Sequence, residues 1–283
     1  MKKTITAIAL GSIVGFGSVL NAAMDELSAT STVAFESNYV FRGGQQYSDN
    51  GAIQPSLDLS MPVYEGSAYV GFWGSYAESL ASDSSEGFSE TDLYIGYEQD
   101  LTDYASIDGG FTYYGLEDAT TDTGGPVTDR WKEIYAGVSF DGLMPAGMEL
   151  SPSVYAYWNF SGDALTIDSS IGHSIALDQV VSGLSFDLGA NLGIVDFGDA
   201  NGDQVPGEQD DAYTYWGGTA DLVYTVNDVA SFSLGARYAG NNNDTRDGGI
   251  NGINPGEDPG ANLYTFDSTD SILWWGMSAT FGF

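Results

Sequence analysis

The 283-residue chain carries 40 acidic residues against seven basic ones, a single histidine and no cysteine, for a formal charge of −33. That charge excludes nucleic-acid partners, which need clustered Lys and Arg to displace counterions, and the absence of cysteine excludes disulfide frameworks, thiolate metal sites and thiol nucleophiles. A composition 42% hydrophobic and 13% aromatic argues for a folded chain, and 38 glycines beside 18 tyrosines favour strands and turns.

The chain opens Met1-Lys2-Lys3, runs through small and apolar residues from Ile5 to Leu20, and reaches Asn21-Ala22-Ala23. This is the layout of a secretory signal peptide, so residues 1–23 are expected to be removed, leaving residues 24–283 as an exported domain. Removal would take Lys2 and Lys3 and none of the acidic residues. The apolar run is shorter than the roughly 20 residues of a spanning helix, and no second run of that length follows.

From Ser31 onward apolar residues recur at every second position, the period of a strand with one face in an apolar medium. Ser31–Arg42 places Val33, Phe35, Tyr39 and Phe41 on one face and Glu36, Asn38 and Arg42 on the other; Ile53–Val63 repeats the pattern. Further segments follow at Ala68–Tyr76, Asp92–Glu98, Ala105–Leu116, Trp131–Phe140, Leu150–Phe160, Leu165–Leu177, Leu184–Val195, Tyr213–Val226, Val229–Tyr238 and Ser271–Phe283. The spacing predicts an all-β fold, a 12-stranded antiparallel transmembrane barrel, since an even strand count brings both termini to one side and closure removes edges that lipid would leave unpaired. Tight joins such as Glu65-Gly66 and Asn227-Asp228 alternate with longer acidic ones such as Ala77–Thr91, Glu117–Arg130, Asp196–Asp211 and Ala239–Asp270. Short periplasmic turns and long extracellular loops show that asymmetry. Gly43–Ala52 reads as one of the shorter outer loops.

Aromatic residues mark the two interfaces. Tyr39, Phe41, Tyr76, Tyr113, Trp158, Phe160 and Tyr238 fall near the outer ends of the apolar faces, and Tyr97, Phe140, Tyr224, Phe281 and Phe283 near the inner ends. The last segment alternates strictly to Phe283, similar to the C-terminal mark by which the barrel-assembly machinery recognises its substrates. Outer-membrane lipid and lipopolysaccharide are the expected surroundings.

The face opposite the lipid carries Glu36, Asp58, Asp92, Glu98, Asp108, Glu133, Asp187 and Asp221 against Arg42 and Arg237. An acidic lining biases a pore toward cations. The same carboxylates could instead pair with the arginines and with tyrosine hydroxyls and fill the barrel, because twelve strands lie between eight, which side chains fill, and sixteen, which leave a channel. Tyr69, Trp73, Tyr94, Tyr114, Tyr135, Tyr155 and Tyr157 also point inward, so any conduit for small solutes is expected to be narrow. Arg42 and Arg237 are the candidate basic side of a constriction, or structural ion-pair partners.

Asp199, Asn201, Asp203 and Asp210 occupy positions 1, 3, 5 and 12 of a calcium-loop pattern, although Gln204 replaces the glycine at position 6 and Asp210 the bidentate glutamate at position 12. A calcium ion in this outer loop stands beside a solvated acidic loop, or divalent bridging to lipopolysaccharide, as alternatives; no other cofactor is indicated. Hydrolytic barrels generally rely on His with Ser or Asp, whereas His173 shares the apolar face of Ile171 and Ile175. A non-enzymatic protein is expected.

The stretch Ser37-Asn38-Tyr39-Val40-Phe41-Arg42-Gly43, followed by Ala52-Ile53-Gln54 and Leu57-Asp58, resembles the opening signature of the TorF-type porins of proteobacteria. Gly71-Phe72-Trp73-Gly74-Ser75, Asp92-Leu93-Tyr94-Ile95-Gly96-Tyr97, Tyr113-Tyr114 and Glu133-Ile134-Tyr135-Ala136-Gly137 extend the likeness over residues 35–140. Pro55-Ser56 departs from it where the family tends to have glycines. The resemblance implies an outer-membrane channel-like protein without assigned catalytic residues. A non-conducting barrel, acting as envelope scaffold or adhesin through its acidic loops, is the alternative.

Overall fold

The computed structural model describes residues 27–47, 51–77, 88–118, 127–140, 150–161, 163–197, 212–242 and 271–283. The expected signal peptide and the Asp199–Asp210 calcium pattern lie outside the described residues. The strands are β1 (Ser28–Glu36), β2 (Tyr39–Phe41), β3 (Gly44–Tyr47), β4 (Ala52–Val63), β5 (Gly66–Ala77), β6 (Phe88–Thr102), β7 (Ala105–Asp118), β8 (Val127–Phe140), β9 (Leu150–Asn159), β10 (Ala164–Ala176), β11 (Leu184–Phe197), β12 (Ala212–Asn227), β13 (Ala230–Asn241) and β14 (Ser271–Gly282).

Twelve of them, all but β2 and β3, form one closed antiparallel barrel in which consecutive strands are neighbours. Closure falls between β1 and β14, with a ladder from Thr30 opposite Gly282 to Glu36 opposite Gly276. The other edge of β1 pairs with β4, from Ser28 opposite Ser60 to Glu36 opposite Ala52. Closure leaves no barrel strand with an unpaired edge. β1 begins and β14 ends at one rim, where two-residue turns such as Tyr64-Glu65 also sit; we call this the terminus rim and the opposite one the loop rim.

Alternation sorts the side chains to two sides of the wall. Val33, Leu192 and Leu234 point outward and remain 50%, 55% and 56% exposed. They belong to a belt that also includes Ile53, Leu57, Ile95, Ile134, Ile167, Leu188 and Leu222. An apolar surface of that extent calls for a nonaqueous surrounding. His173 sits in this belt, opposite Leu150 on β9 and Leu188 on β11. Trp158, Tyr238 and Trp275 mark the belt toward the loop rim, and Tyr224, Phe281 and Phe283 toward the terminus rim.

Several strands run past the segments read from the sequence. The Asp92–Glu98 segment lies within the 15-residue β6, and the expected loop Ala77–Thr91 is already strand from Phe88. Ladder hydrogen bonding needs no apolar face, so strands continue beyond the belt where the alternation signal ends.

The larger departure is at the first segment. Ser31–Arg42 is not one strand: β1 ends at Glu36, where the Ser37 backbone N–H donates to the Trp275 carbonyl (2.9 Å) and the Trp275 N–H to the Ser37 hydroxyl (3.0 Å). Those two bonds complete the wall, and the chain turns in at Ser37-Asn38. β2 and β3 then pair only with each other, Phe41 opposite Gly44. Their two-residue turn holds Arg42 at φ 46° and Gly43 at φ 79°, the double left-handed geometry of a type I′ hairpin. Tyr39 and Phe41 are therefore not lipid-facing girdle residues. Tyr39 is 8% exposed and meets the Trp73 ring at 5.5 Å, and Phe41 meets Tyr114 at 6.2 Å edge-on. The expected short outer loop Gly43–Ala52 is in part this inward-folded hairpin.

Candidate functional site

Large inward side chains stay close to the wall because glycines lie opposite them. Tyr69 pairs with Gly96, Tyr94 with Gly71, Tyr135 with Gly110, Tyr155 with Gly137 and Tyr215 with Gly193. A Cβ at Gly137 would lie 2.3 Å from the Tyr155 ring, and one at Gly193 2.2 Å from that of Tyr215. Each ring thus covers the backbone across the ladder rather than reaching for the barrel axis. Toward the terminus rim the inward positions become small hydroxyl residues, with Ser153–Ser170 and Ser233–Ser278 bonded at 2.7 Å and Thr32–Thr280 at 3.0 Å.

At the loop rim the hairpin crosses this interior. Its tip rests on β12 and β13: the Asn241 amide donates to the Gly43 carbonyl (2.8 Å) and the Tyr213 hydroxyl to the Arg42 carbonyl (3.2 Å). Gly43 is required there, since a Cβ would stand 2.5 Å from the Tyr215 Cβ and 2.9 Å from the Gly240 carbonyl oxygen, at a φ side chains rarely adopt. From this seat Arg42 reaches β8, four strands away around the barrel, where its Nη2 lies 2.9 Å from each oxygen of Glu133. The pair is buried, with side chains 7% and 1% exposed. The Tyr114 hydroxyl donates to the same carboxylate (2.8 Å), and the guanidinium stands 4.8 Å from the Phe41 ring centre and 5.0 Å from that of Tyr157.

Arg237 forms a separate cluster on the wall. Its Nη1 is 2.7 Å from Asp221 Oδ1, and its Nη2 is 3.5 Å from Glu36, which also accepts from the Trp274 indole (2.9 Å). The remaining acidic residues meet uncharged groups. Asp58 accepts from Tyr94 (2.9 Å), Asp108 from Tyr69 and Tyr155, and Asp187 from Ser174 (2.5 Å).

Glu36, Asp58, Asp92, Asp108, Glu133, Asp187, Asp221 and Arg237 all project inward from the wall, whereas Arg42 arrives from the hairpin. Glu133 and Arg42 come together; so do Glu36, Asp221 and Arg237, with Asp187 opposite Asp221 across the β11–β12 ladder; Asp58 and Asp108 lie outside both clusters. Asp92 is 1% exposed, and neither of its oxygens has a hydrogen-bond partner among the described residues, while Glu90 and Glu133 are its charged neighbours. Two inward acids were missed by the sequence reading. Glu90 is buried and bonded to Tyr39, and Asp168 accepts from Tyr215 (2.5 Å) and Asn191 (3.1 Å). Asp168 was legible from its place between Ile167 and Ser169, but Glu90 lies beyond the apolar part of its strand. The Phe41-Arg-Gly-Gly44 run was the available signal for the hairpin. No group of three or more His, Cys, Asp or Glu side chains among the described residues is arranged to hold a metal ion.

The closed twelve-stranded wall, its apolar exterior and its acidic interior define an outer-membrane-type β-barrel. The chain belongs to the Gcw_chp family, described as bacterial proteins of unknown function, whose pattern matches residues 22–254. Among solved structures it is similar in fold to LpxR from Salmonella typhimurium, with a TM-score of 0.52 and 10% identity over 90% of this chain and 99% of that one. The translocator domain of the autotransporter NalP from Neisseria meningitidis gives 0.48 and 12%, over 94% and 93%. The KdgM porin gives 0.47 and 8%, over 90% and 99%. No curated protein matches the chain.

Proposed function

We propose that this protein is exported, assembles into the bacterial outer membrane and forms a narrow conduit for small solutes that prefers cations. The observation that carries this reading is the charge of the inner wall. Carboxylates project inward along its whole height, from Glu36, Glu90 and Glu133 near the loop rim to Asp108 and Asp187 below, and the guanidiniums described there, Arg42 and Arg237, both lie toward the loop rim. The other acids bond to hydroxyl and amide groups, which bring no positive charge to the lining, and an acidic lining raises the local concentration of cations. The resemblance to TorF-type porins supports the same reading.

The test is reconstitution of the purified protein in planar bilayers across a potassium chloride gradient. A reversal potential on the cation side is expected; an anion-side potential would overturn the preference. One observation favours a second reading, a non-conducting envelope scaffold or adhesin: the hairpin seated across the loop-rim mouth. Silence of a correctly inserted barrel, with and without the hairpin, would establish that reading instead. Two companion proposals have their own measurements. Deleting Phe283 is expected to slow assembly in cells, and calcium titration of the wild type against Asp199→Ala/Asp203→Ala tests the outer loop, where equal heats would remove calcium.

A further inference from the structure

We propose that the Tyr39–Tyr47 hairpin is a gate: a plug latched by Arg42 onto Glu133, whose release uncovers Glu90, Asp92 and Glu133 as the constriction that selects cations. The inference rests on the conduit reading and deepens it.

Three features of the hairpin carry it. Its attachment is unlike that of any barrel strand, because β2 and β3 share a ladder only with each other and are held to the wall by separate bonds, those with Asn241, Tyr213, Glu133 and Glu90 among them. A lone two-stranded ribbon is marginally stable in water, so this element depends on those bonds and can leave without opening the barrel. The wall itself is complete without it, since Ser37 satisfies both backbone groups of Trp275 where the chain turns inward.

The closed arrangement also stores an unfavourable contact. With the hairpin seated, Asp92 is buried between Glu90 and Glu133 with no hydrogen-bond partner among the described residues, and a carboxyl taken from water without a hydrogen bond opposes that state. Withdrawal of the hairpin would rehydrate all three acids. The Arg42–Glu133 pair, desolvated and backed by two aromatic faces, is the interaction that offsets this cost. The closed and open states therefore differ by a latch on one side and a buried acid on the other, the requirement for a two-state element.

The test uses the full-length protein in two measurements. Because the chain has no cysteine, Ser75→Cys provides a single thiol at a fully buried inward position on β5, opposite Glu90. Modification of that thiol by a cationic methanethiosulfonate is expected to be slow alone and about tenfold or more faster with Arg42→Ala or the milder Glu133→Gln. The charge swap Arg42→Glu/Glu133→Arg is expected to return the rate toward the starting value. In planar bilayers the same latch variants should raise the time-averaged conductance and its cation preference, and Asp92→Asn should lower the preference in the unlatched protein. Labelling unchanged by either latch variant would overturn the gate, whatever the conductance. Faster labelling in a barrel that stays electrically silent would retain the moving hairpin and overturn the conduit.

Discussion

Two arginine clusters occupy the loop-rim half of the lumen, and they hold different things together. Arg237 rises from β13 and bonds Asp221 on β12 and Glu36 on β1, groups whose positions the barrel ladders already determine. Arg42 comes from a hairpin outside the barrel ladders and reaches Glu133 across the lumen. The first cluster decorates a wall that would stand without it; the second decides where a separate element sits. Burial follows the same division, with Arg42 7% exposed and Arg237 16%. Ion pairs of similar length can thus be a lining in one place and a latch in another.

The largest expected effect separates the two. Arg42→Ala removes the ion-pair partner of Glu133, which keeps only its bond from Tyr114. Breaking a buried pair costs about 3–5 kcal/mol where the remaining charge stays buried, an upper bound here because release of the hairpin returns Glu133 to water. Urea unfolding of the refolded barrel should show that loss, and a stability within error of wild type would mean that the pair contributes nothing to seating the hairpin. Gly43→Ala attacks the same seat without touching a charge. Its methyl group would meet the Tyr215 Cβ and the Gly240 carbonyl, a form of overpacking that costs about 1–3 kcal/mol. It should also accelerate labelling at Ser75→Cys.

Arg237→Ala is expected to cost less, on the order of 1.5–3 kcal/mol, since it removes bonds to two carboxylates that retain some access to water. Raising sodium chloride from about 0.1 M to 1 M should shrink the Arg237 effect while leaving that of Arg42, because screening acts mainly on accessible charges. Equal salt dependence in both variants would erase the distinction between lining and latch. The smallest effect belongs to Asp187→Ala, which breaks one bond to Ser174 in an accessible part of the lumen and should change stability by less than about 1 kcal/mol. That variant should reduce cation preference if the lower wall contributes to selection, as reversal potentials would reveal.

The barrel was legible because its signal is local and redundant. Val33, Leu57, Ile95, Ile134 and Leu188 each follow the same rule of alternation, so the inward direction of Asp58, Asp108 and Asp187 could be read from their neighbours. The hairpin was not legible by that rule. Tyr39 and Phe41 continue the two-residue period of Val33 and Phe35, yet the turn at Ser37-Asn38 carries them from the outside of the wall into the lumen. A period of two reports that a segment is extended and says nothing about which body it faces after a bend.

Strand identity, the even strand count, the apolar exterior and the acidic interior were determined by the sequence itself, since each follows from side chains alternating about a straight backbone. The meeting of Arg42 with Glu133, the enclosure of Asp92 and the laying of tyrosine rings over facing glycines were decided only by the tertiary structure. The first two depend on the closure of the cylinder, which brings together segments distant in the chain, and the third on the register between neighbouring strands, where the position of one backbone determines the space left for another.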